Sequence, residues 1–271
     1  MKKVILSACL LALTVSACGT SSTGRNKVAF IDQNKLNTMG EQSFAEMKQK
    51  QKVSTDKKIN QYVQCVADYI TVHVPKSAHD GTWEVVVFDS EQINAFALPG
   101  GKIGVYTEIL KVAEDQHQLA AIMGHEVAHV IEEHANERIS SQQLAGAGLA
   151  ITDILLGGSG MEKNNKQMVM AGIGAGTQYL VLMPYGRAHE SEADIVGQDL
   201  MAKAGFDPKA SIALWQNMAK ASGGNQPPEF LSTHPSNQTR IKALTQHLKT
   251  SEPVYRQSNT KPNCVNPLKS S

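Results

Sequence analysis

The sequence lacks an excess of charge of either sign. Its 26 Lys and Arg residues nearly balance its 25 Asp and Glu residues, so the formal net charge is +1. Basic residues are also not gathered into a patch. Because proteins that bind nucleic acid use basic patches to contact phosphates, we expect no nucleic acid partner.

Long apolar runs and internal repeats are also missing. After residue 18, the sequence has no apolar run long and clean enough to predict a transmembrane helix. It has no repeat of solenoid length. A chain of 271 residues of this kind fits one large domain or two small ones.

The N-terminus predicts export from the cytoplasm. MKK is followed by VILSACLLALTV, an apolar run too short to span a bilayer and typical of a signal peptide. VSAC, which ends at Cys18, resembles the lipobox of bacterial lipoproteins. By that resemblance, residues 1–17 are a signal peptide and Cys18 carries the lipid. Gly19 resembles the signal for the outer membrane, so we expect a lipid anchor on the periplasmic face. The alternative is an ordinary signal peptide, with Cys18 incidental.

Cysteines are few, and their positions suggest one disulfide. Of the four, Cys9 leaves with the signal peptide and Cys18 would carry lipid. Cys65 and Cys264 remain, and two leftover cysteines in an oxidising compartment most simply form a disulfide. The alternative is a pair of free, buried thiols.

The rest of the chain predicts an α+β fold that is mainly helical, with a small β-sheet before a central helix. Residues 18–40 are polar and predict a tether between the lipid and a domain over 41–250, and 251–271 predict an irregular tail. Apolar residues over 144–182 predict two helical arms joined by a loop. Their composition fits close helix packing or a surface near lipid, and both remain open.

The stretch IMGHEVAHVIEEH carries the strongest chemical signal. His125 and His129 are one helical turn apart, so both imidazoles can bind one ion. Glu126 lies beside them, where its carboxylate can take a proton from water. The surrounding residues are apolar, and a buried histidine pair needs partners, which a zinc ion provides. The alternative is two core histidines bonded to backbone carbonyls.

A catalytic zinc site needs a third protein ligand and an open position. The segment YGRAHESEADIVGQDL, residues 185–200, offers His189, Glu190 and Glu192 on a predicted helix. Physical reasoning alone does not choose among these three.

HEVAH followed by ESEAD resembles the gluzincin metallopeptidases of the HtpX, BepA and CAAX prenyl protease type. The chain looks most similar to short, lipid-anchored periplasmic members such as LoiP. The resemblance implies a zincin-like metallopeptidase domain with one zinc ion per chain. It also implies that Glu190 is the third ligand and that Asp194 orients a ligand histidine.

Two further segments resemble the same family. INAFALPGGKIGVYTEIL implies that Asn94, Ala95 and Phe96 lie on an edge strand that pairs with an extended substrate. THPSNQTRI implies that His234 is a fourth ligand or gate at the zinc, and that Arg240 binds a carboxylate near the site or supports the oxyanion. The alternatives are an ordinary structural hairpin, a loop histidine and a surface arginine.

Two functions follow as expectations. The first is a zinc endopeptidase of protein quality control, kept latent by His234, which cleaves unfolded or misassembled envelope and outer-membrane proteins. The second is a periplasmic chaperone or assembly factor for outer-membrane proteins with little proteolysis. Both functions allow contacts with the assembly machinery of that membrane.

Overall fold

The structure is a computed structural model that describes residues 18–177, 183–221, 234 and 238–269. The predicted signal peptide lies outside the described residues. The chain divides into two compact units. The first comprises Met1–Asp32 and Glu133–His189, and the second comprises Gln33–Glu132 and Glu190–Ser271.

The described elements are mainly helices, with short strands near the N-terminus and before the central helix. The strands are β1 Cys18–Thr20, β2 Asn26–Val28, β3 Glu84–Phe88, β4 Ala95–Leu98 and β5 Lys102–Tyr106. The helices are α1 Gln33–Lys50, α2 Lys57–Thr71, α3 Ile109–Val112, α4 Gln116–Ile131, α5 His134–Gly157, α6 Lys163–Thr177, α7 Met183–Lys203, α8 Ala210–Ala221 and α9 Gln238–Gln257. The predicted fold class, mainly helical with a small sheet before the central helix, is confirmed.

The sheet of the second unit has three strands in the order β3-β5-β4. β5 pairs with β3 in parallel and with β4 antiparallel. The tight turn between β4 and β5 uses Gly100 and Gly101, whose φ angles of 84° and 70° suit glycine. Among the described strands, β4 is paired on one side only and therefore forms an edge of this sheet.

Helix α4 is the core of the second unit. It begins after Asp115, whose carboxylate accepts hydrogen bonds from the backbone N–H groups of His117 and Gln118. Nearly all of the helix is buried, since it packs against α2, β4 and α8. A helix buried on all sides has to place its few polar side chains against specific partners.

Helices α4 and α7 approach each other closely through two glycines. A Cβ atom on Gly124 would lie 2.7 Å from the carbonyl oxygen of Gly197, and one on Gly197 would lie 2.7 Å from the backbone nitrogen of His125. Any side chain at either position would therefore push the two backbones apart. Helix α7 ends at Lys203, and Gly205 follows it with a φ of 85°, a value that suits glycine after a helix.

The C-terminal helix is longer than the sequence predicts. The predicted boundary of the domain is residue 250, but α9 continues through Pro253 to Gln257. Tertiary contacts hold this last stretch: the buried Ser251 donates to the Gln198 side chain, and Glu252 pairs with Lys209. These contacts offset the weak helix preference of the residues around the proline.

The first unit does not contain the tether predicted over residues 18–40. Instead β1 pairs antiparallel with β2, and α1 begins at Gln33. The chain after β2 is held against α5, because the backbone N–H groups of Ile31 and Phe30 donate to the side chains of Asn136 and Ser140. The prediction of a tether is therefore wrong over this stretch, because its backbone is ordered by hydrogen bonds to side chains of α5.

The two predicted apolar arms are helices α5 and α6, which pack against each other. α5 buries residues only in its first two turns, and α6 buries none. Within the described part of the chain, no helix combines the length and the apolarity that crossing a membrane requires.

Cys65 of α2 and Cys264, which follows α9, form a disulfide with a Cα–Cα distance of 5.8 Å. The predicted pairing is therefore present in the structure. It joins positions 199 residues apart in the sequence. A crosslink that closes so long a loop restricts the unfolded chain strongly.

We expect that replacing both cysteines, Cys65→Ser with Cys264→Ser, lowers the free energy of unfolding by about 2–4 kcal/mol, because the unfolded chain regains the entropy that the crosslink removes. Urea denaturation followed by circular dichroism measures this change. As a control, a reducing agent should shift the midpoint of the wild type and leave that of the double variant where it is. An unchanged midpoint in the reduced wild type would contradict the prediction.

Candidate active site

Helix α4 presents His125, Glu126 and His129 from one buried stretch. The helical spacing places the two imidazoles on one side, with ring centroids 4.8 Å apart. Their Nε2 atoms face each other at 3.1 Å. His125 and Glu126 are buried, and His129 is mostly buried.

Glu190 of α7 completes a group of three around the same point. Its Oε2 atom lies 3.4 Å from His125 Nε2, and its Oε1 atom lies 3.5 Å from His129 Nε2. The structure therefore brings Glu190 to the histidine pair. His189 lies elsewhere, with its Nε2 atom 3.6 Å from Glu137 of the first unit.

Asp194 lies one helical turn after Glu190 and contacts the other side of the His125 ring. Its Oδ1 atom lies 3.1 Å from His125 Nδ1, which is therefore the nitrogen that donates. This hydrogen bond turns the ring so that Nε2 faces Glu190 and His129. A carboxylate bonded to the far nitrogen is the usual way in which proteins orient a ligand histidine.

Arg240 of α9 holds both carboxylates of α7. Its Nε and Nη2 atoms donate to the two oxygens of Asp194 at 2.6 and 2.8 Å, and its Nη1 atom lies 3.1 Å from Glu190 Oε2. The guanidinium also stacks on Trp215 of α8, 4.0 Å from the ring centroid. The alternative of a surface arginine is excluded, since the side chain of Arg240 is 2% exposed.

His234 lies beside the same group. Its Nε2 atom is 3.6 Å from Glu126 Oε1 and 4.0 Å from Glu190 Oε1. Its ring centroid is 5.2 Å from that of His125 and 5.4 Å from that of His129. His234 therefore does lie close to the histidine pair.

The side chains of His125, His129 and Glu190 fit a zinc ion. Ligand atoms held about 2 Å from a tetrahedral zinc lie about 3.3 Å from one another, and the rings of two histidines that share the ion have centroids about 5 Å apart. The observed separations of 3.1, 3.4 and 3.5 Å and the ring distances match these values. Nitrogen and carboxylate oxygen are also the ligand atoms that zinc prefers.

A second buried group, His134, Glu137 and His189, has a different geometry. The two imidazoles are stacked with an interplanar angle of 16° and centroids 4.2 Å apart, too close and too parallel for two ligands of one tetrahedral ion. Both oxygens of Glu137 are already bonded to Arg25, at 2.6 and 2.8 Å. Glu137 therefore forms an ionic contact between the β1–β2 hairpin and α5, both of which belong to the first unit.

Glu126 faces the edge strand β4. Its carboxylate accepts a hydrogen bond from the backbone N–H of Ala97, whereas its Oε1 atom makes no hydrogen bond with any described residue. Burial raises the pKa of Glu126 to about 8, although the nearby charge of His125 opposes this. A pKa this close to neutral pH lets the group accept a proton in one step and donate it in a later one, as general acid–base catalysis requires.

The strand that the resemblance assigns to substrate is β4. Ala95 and Phe96 lie on it, and Asn94 precedes it, with its carbonyl accepting from the Tyr106 N–H. The Phe96 ring packs with Phe44 and Phe88 in a small aromatic cluster. The side chain of Phe96 therefore faces the interior, and the strand offers a partner its backbone.

Sequence reasoning did not find two contributors to the site. Trp215 gave no signal, because a tryptophan on a predicted amphipathic helix reads as a core residue. Ala97 acts through its backbone N–H, which no side-chain pattern reports. Its place on an edge strand next to the HEVAH helix was the available clue.

Comparison with known families agrees with this geometry. The sequence profile of peptidase family M48 matches residues 54–248, which include every residue of the candidate site. The chain belongs to peptidase family M48. Members of this family are zinc metallopeptidases, so the metal expected from HEVAH is the metal of the family.

Several M48 proteins are similar to the chain. The mitochondrial metalloendopeptidase OMA1 of Bos taurus is 38% identical over 167 residues, 60% of this chain and 32% of the relative. OMA1 of Saccharomyces cerevisiae is 32% identical over 211 residues, 71% of this chain and 55% of the relative. The β-barrel assembly-enhancing protease of Escherichia coli is 25% identical over 226 residues, 82% of this chain and 45% of the relative.

The chain thus spans between about a third and about half of the length of the relatives that it matches. The expected resemblance to gluzincins is confirmed at the level of family M48, and a BepA-type protease is among the relatives. The finer resemblance to LoiP-like lipoproteins stays a prediction. Similarity to mitochondrial OMA1 was not expected from the sequence.

Charges around His125 lead to a pH dependence of metal binding. Burial would lower the pKa of His125, but the hydrogen bonds and charges of Asp194 and Glu190 outweigh it and raise the pKa to about 9. In the metal-free protein, His125 therefore carries a proton at neutral pH, and zinc has to displace it.

We expect the apparent zinc affinity of the metal-free protein to rise with pH, by about tenfold per unit, until the pH approaches the pKa of His125. Titration calorimetry at pH 7, in two buffers with different ionisation enthalpies, should show release of about one proton per zinc. Asp194→Asn removes a charge that raises this pKa, so less proton should be released. An affinity that does not change with pH would contradict the expectation.

Arg240 gives a second prediction. Arg240→Lys keeps the positive charge but loses the planar fork that bonds both oxygens of Asp194, so zinc affinity should fall by about 10- to 100-fold. Competition with a zinc chelator measures this fall. Arg256→Lys is the matched control, because Arg256 pairs with Glu252 and is largely exposed. Equal zinc affinity in the two variants would show that the fork does not position the ligands.

Proposed function

We propose that the chain is a zinc endopeptidase whose metal is held by His125, His129 and Glu190. The observation that carries this proposal is the group of facing nitrogen and oxygen atoms at 3.1–3.5 Å on two helices in contact. Membership of family M48 and the names of its metalloendopeptidase relatives support it.

The chemistry is divided among few groups. When bound, zinc supplies a Lewis acid for the substrate carbonyl and lowers the pKa of the attacking water. The Glu126 carboxylate accepts the proton of that water and returns it to the leaving amine. Asp194 keeps His125 in the tautomer that directs Nε2 to the site, and Arg240 fixes Asp194 and Glu190 relative to each other.

The substrate in this proposal is an extended polypeptide. β4 is an edge strand whose Ala97 N–H points to Glu126, so a peptide that lies along β4 passes the general base. Pairing with backbone requires unfolded chain and imposes little sequence preference. We therefore propose unfolded or misassembled envelope proteins, including outer-membrane proteins, as substrates in a quality-control role.

In this proposal, His234 acts as a gate that controls access of substrate to the metal. It lies between Glu126 and Glu190, at 3.6 and 4.0 Å, where an imidazole that joined the metal would fill the position needed by substrate. Such an enzyme is latent until the histidine moves. The same contact favours the second candidate, an assembly factor for outer-membrane proteins in which cleavage is rare.

The proposed location is the periplasmic face of a bacterial outer membrane, with Cys18 lipidated as the lipobox-like VSAC suggests. One relative is named a β-barrel assembly-enhancing protease, which supports both an envelope location and partners in the assembly machinery. The names of the OMA1 relatives point instead to mitochondria. Labelling with radioactive palmitate and fractionation of the wild type and Cys18→Ser distinguish the two.

The enzymatic proposal is tested with three variants and two readouts. Glu126→Gln should keep one zinc per chain and reduce cleavage of an unfolded protein by at least about a hundredfold, because the general base is lost. His234→Ala should keep the zinc and raise cleavage. His247→Ala, a histidine that pairs with Asp199 away from the site, should match the wild type in both.

The outcomes separate the two candidates. Zinc in every variant without cleavage in any would favour the assembly factor. In that case Glu126→Gln should still complement a deletion strain. Zinc missing from the wild type would refute the metal site itself. Cleavage that Glu126→Gln leaves intact would refute the assigned general base.

A further inference from the structure

Helix α5 has two apolar stripes that face in different directions. One consists of half-buried residues on the side that α6 covers: Ala145, Leu149, Thr152 and Leu156. The other, which we call the outer stripe, consists of large aliphatic residues that are 55–73% exposed: Leu144, Ile151, Ile154 and Leu155. The packing of α5 on α6 therefore accounts for the first stripe and leaves the second unexplained.

The outer stripe forms one continuous face. At 100° per residue its four members fall within an arc of about 100°, and Asp153 lies on the opposite side of the helix. Asp153 pairs across the hairpin with Lys166 of α6, at 3.0 Å. The charge of this part of α5 is thus neutralised by the neighbouring arm and directed away from the outer stripe.

The composition of the outer stripe favours lipid over a specific protein partner. Specific protein interfaces are anchored by Trp, Tyr and Arg, and residues 141–177 contain none of these. The stripe is purely aliphatic and belongs to a helix with few charges. α5 is not apolar enough to cross a membrane, and a helix that exposes an apolar face without crossing can lie in the plane of the membrane surface.

The start of the described chain supplies the second argument, which rests on the proposed lipid anchor. Cys18 is the first residue of β1, and β1 pairs with β2. The chain beyond β2 is bonded to the base of α5 through Asn136 and Ser140, and Arg25 is paired with Glu137. A lipid on Cys18 would therefore be joined to α5 by ordered structure within one unit.

The length of α5 beyond the point where the N-terminal segment is attached is short. From Ser140, where the N-terminal segment is attached, to the end of α5 is about 25 Å at 1.5 Å per residue. A lipid inserted in a bilayer thus holds α5 within a helix length of the membrane, with the outer stripe exposed on it. A flexible tether, as the sequence suggested, would have imposed no such proximity.

We propose that the outer stripe of α5 lies on the lipid membrane surface as a second, non-covalent attachment beside the lipid of Cys18. The lipid of Cys18 anchors the chain, and a second contact with the membrane fixes how the first unit lies on it. The outer stripe is that contact. It holds the first unit at the membrane by an uncharged, aliphatic face, so its binding should depend little on salt.

The test places a fluorescent reporter on the stripe. The lipidated chain is reconstituted in vesicles of phosphatidylethanolamine and phosphatidylglycerol, with or without bromine on the acyl chains. Ile154→Trp should add emission that is shifted to shorter wavelength and loses about half its intensity or more in brominated vesicles. Val72→Trp is the matched control, since Val72 is equally exposed, at 74%, but lies in the second unit.

A second arm measures binding without the anchor. The mature chain with Cys18→Ser should still bind these vesicles, and adding Ile151→Gln with Ile154→Gln should weaken binding at least about tenfold. Val72→Gln should have no effect. Zinc content and cleavage are measured on the same samples, so loss of the proposed enzyme function would not be mistaken for loss of membrane binding.

Three results would overturn the proposal. The Ile154→Trp emission could stay accessible to iodide and insensitive to brominated lipid. Quenching could be equal at Val72→Trp, which would reflect tethering alone. The Cys18→Ser chain could form dimers without lipid that Ile154→Gln dissociates, which would assign the stripe to a second copy. If Cys18 proves not to be lipidated while quenching at Ile154→Trp persists, the membrane contact is supported and only the proposed lipid anchor is refuted.

Discussion

The candidate site depends on the contact between Gly124 and Gly197. These residues allow the backbones of α4 and α7 to touch, and a Cβ atom on either would meet the other helix at 2.7 Å. His125 follows the first glycine directly, and Asp194 lies one turn before the second. The close approach therefore places a carboxylate against each side of the His125 ring, which two helices at an ordinary separation of about 8–10 Å could not do with side chains as short as aspartate.

Once the helices touch, the charges of the site have to stabilise one another. Burial raises the pKa of both Asp194 and Glu190, but the bonds from Arg240 to the first and from His125 to the second outweigh it, so both pKa values end below their usual range. Arg240 is in turn covered by Trp215. A buried network of this kind holds its members in fixed positions, since removing one leaves another charge without a partner.

Patterns within short stretches of sequence predicted those parts of the site and fold that depend only on neighbouring residues. The four-residue spacing of His125 and His129 fixes their geometry wherever the helix lies, and the glycines after β4 fix the turn. Glu190 came from family resemblance, because three side chains on α7 were chemically acceptable. The order of the chain just before α1 could not be predicted, since Phe30 and Ile31 are held by hydrogen bonds to Ser140 and Asn136, more than a hundred positions away. Trp215 likewise acquires its role only when α8 and α9 meet.

The disulfide between Cys65 and Cys264 has a topological consequence for a protease. It closes the polypeptide into a covalent ring that includes HEVAH, Glu190, His234 and Arg240. A single cut anywhere in that ring, whether by a neighbouring copy or by another protease, opens the ring without releasing a fragment. The ligands contributed by α4 and α7 stay on one molecule after such a cut. Nicked protein would migrate as one piece until it is reduced.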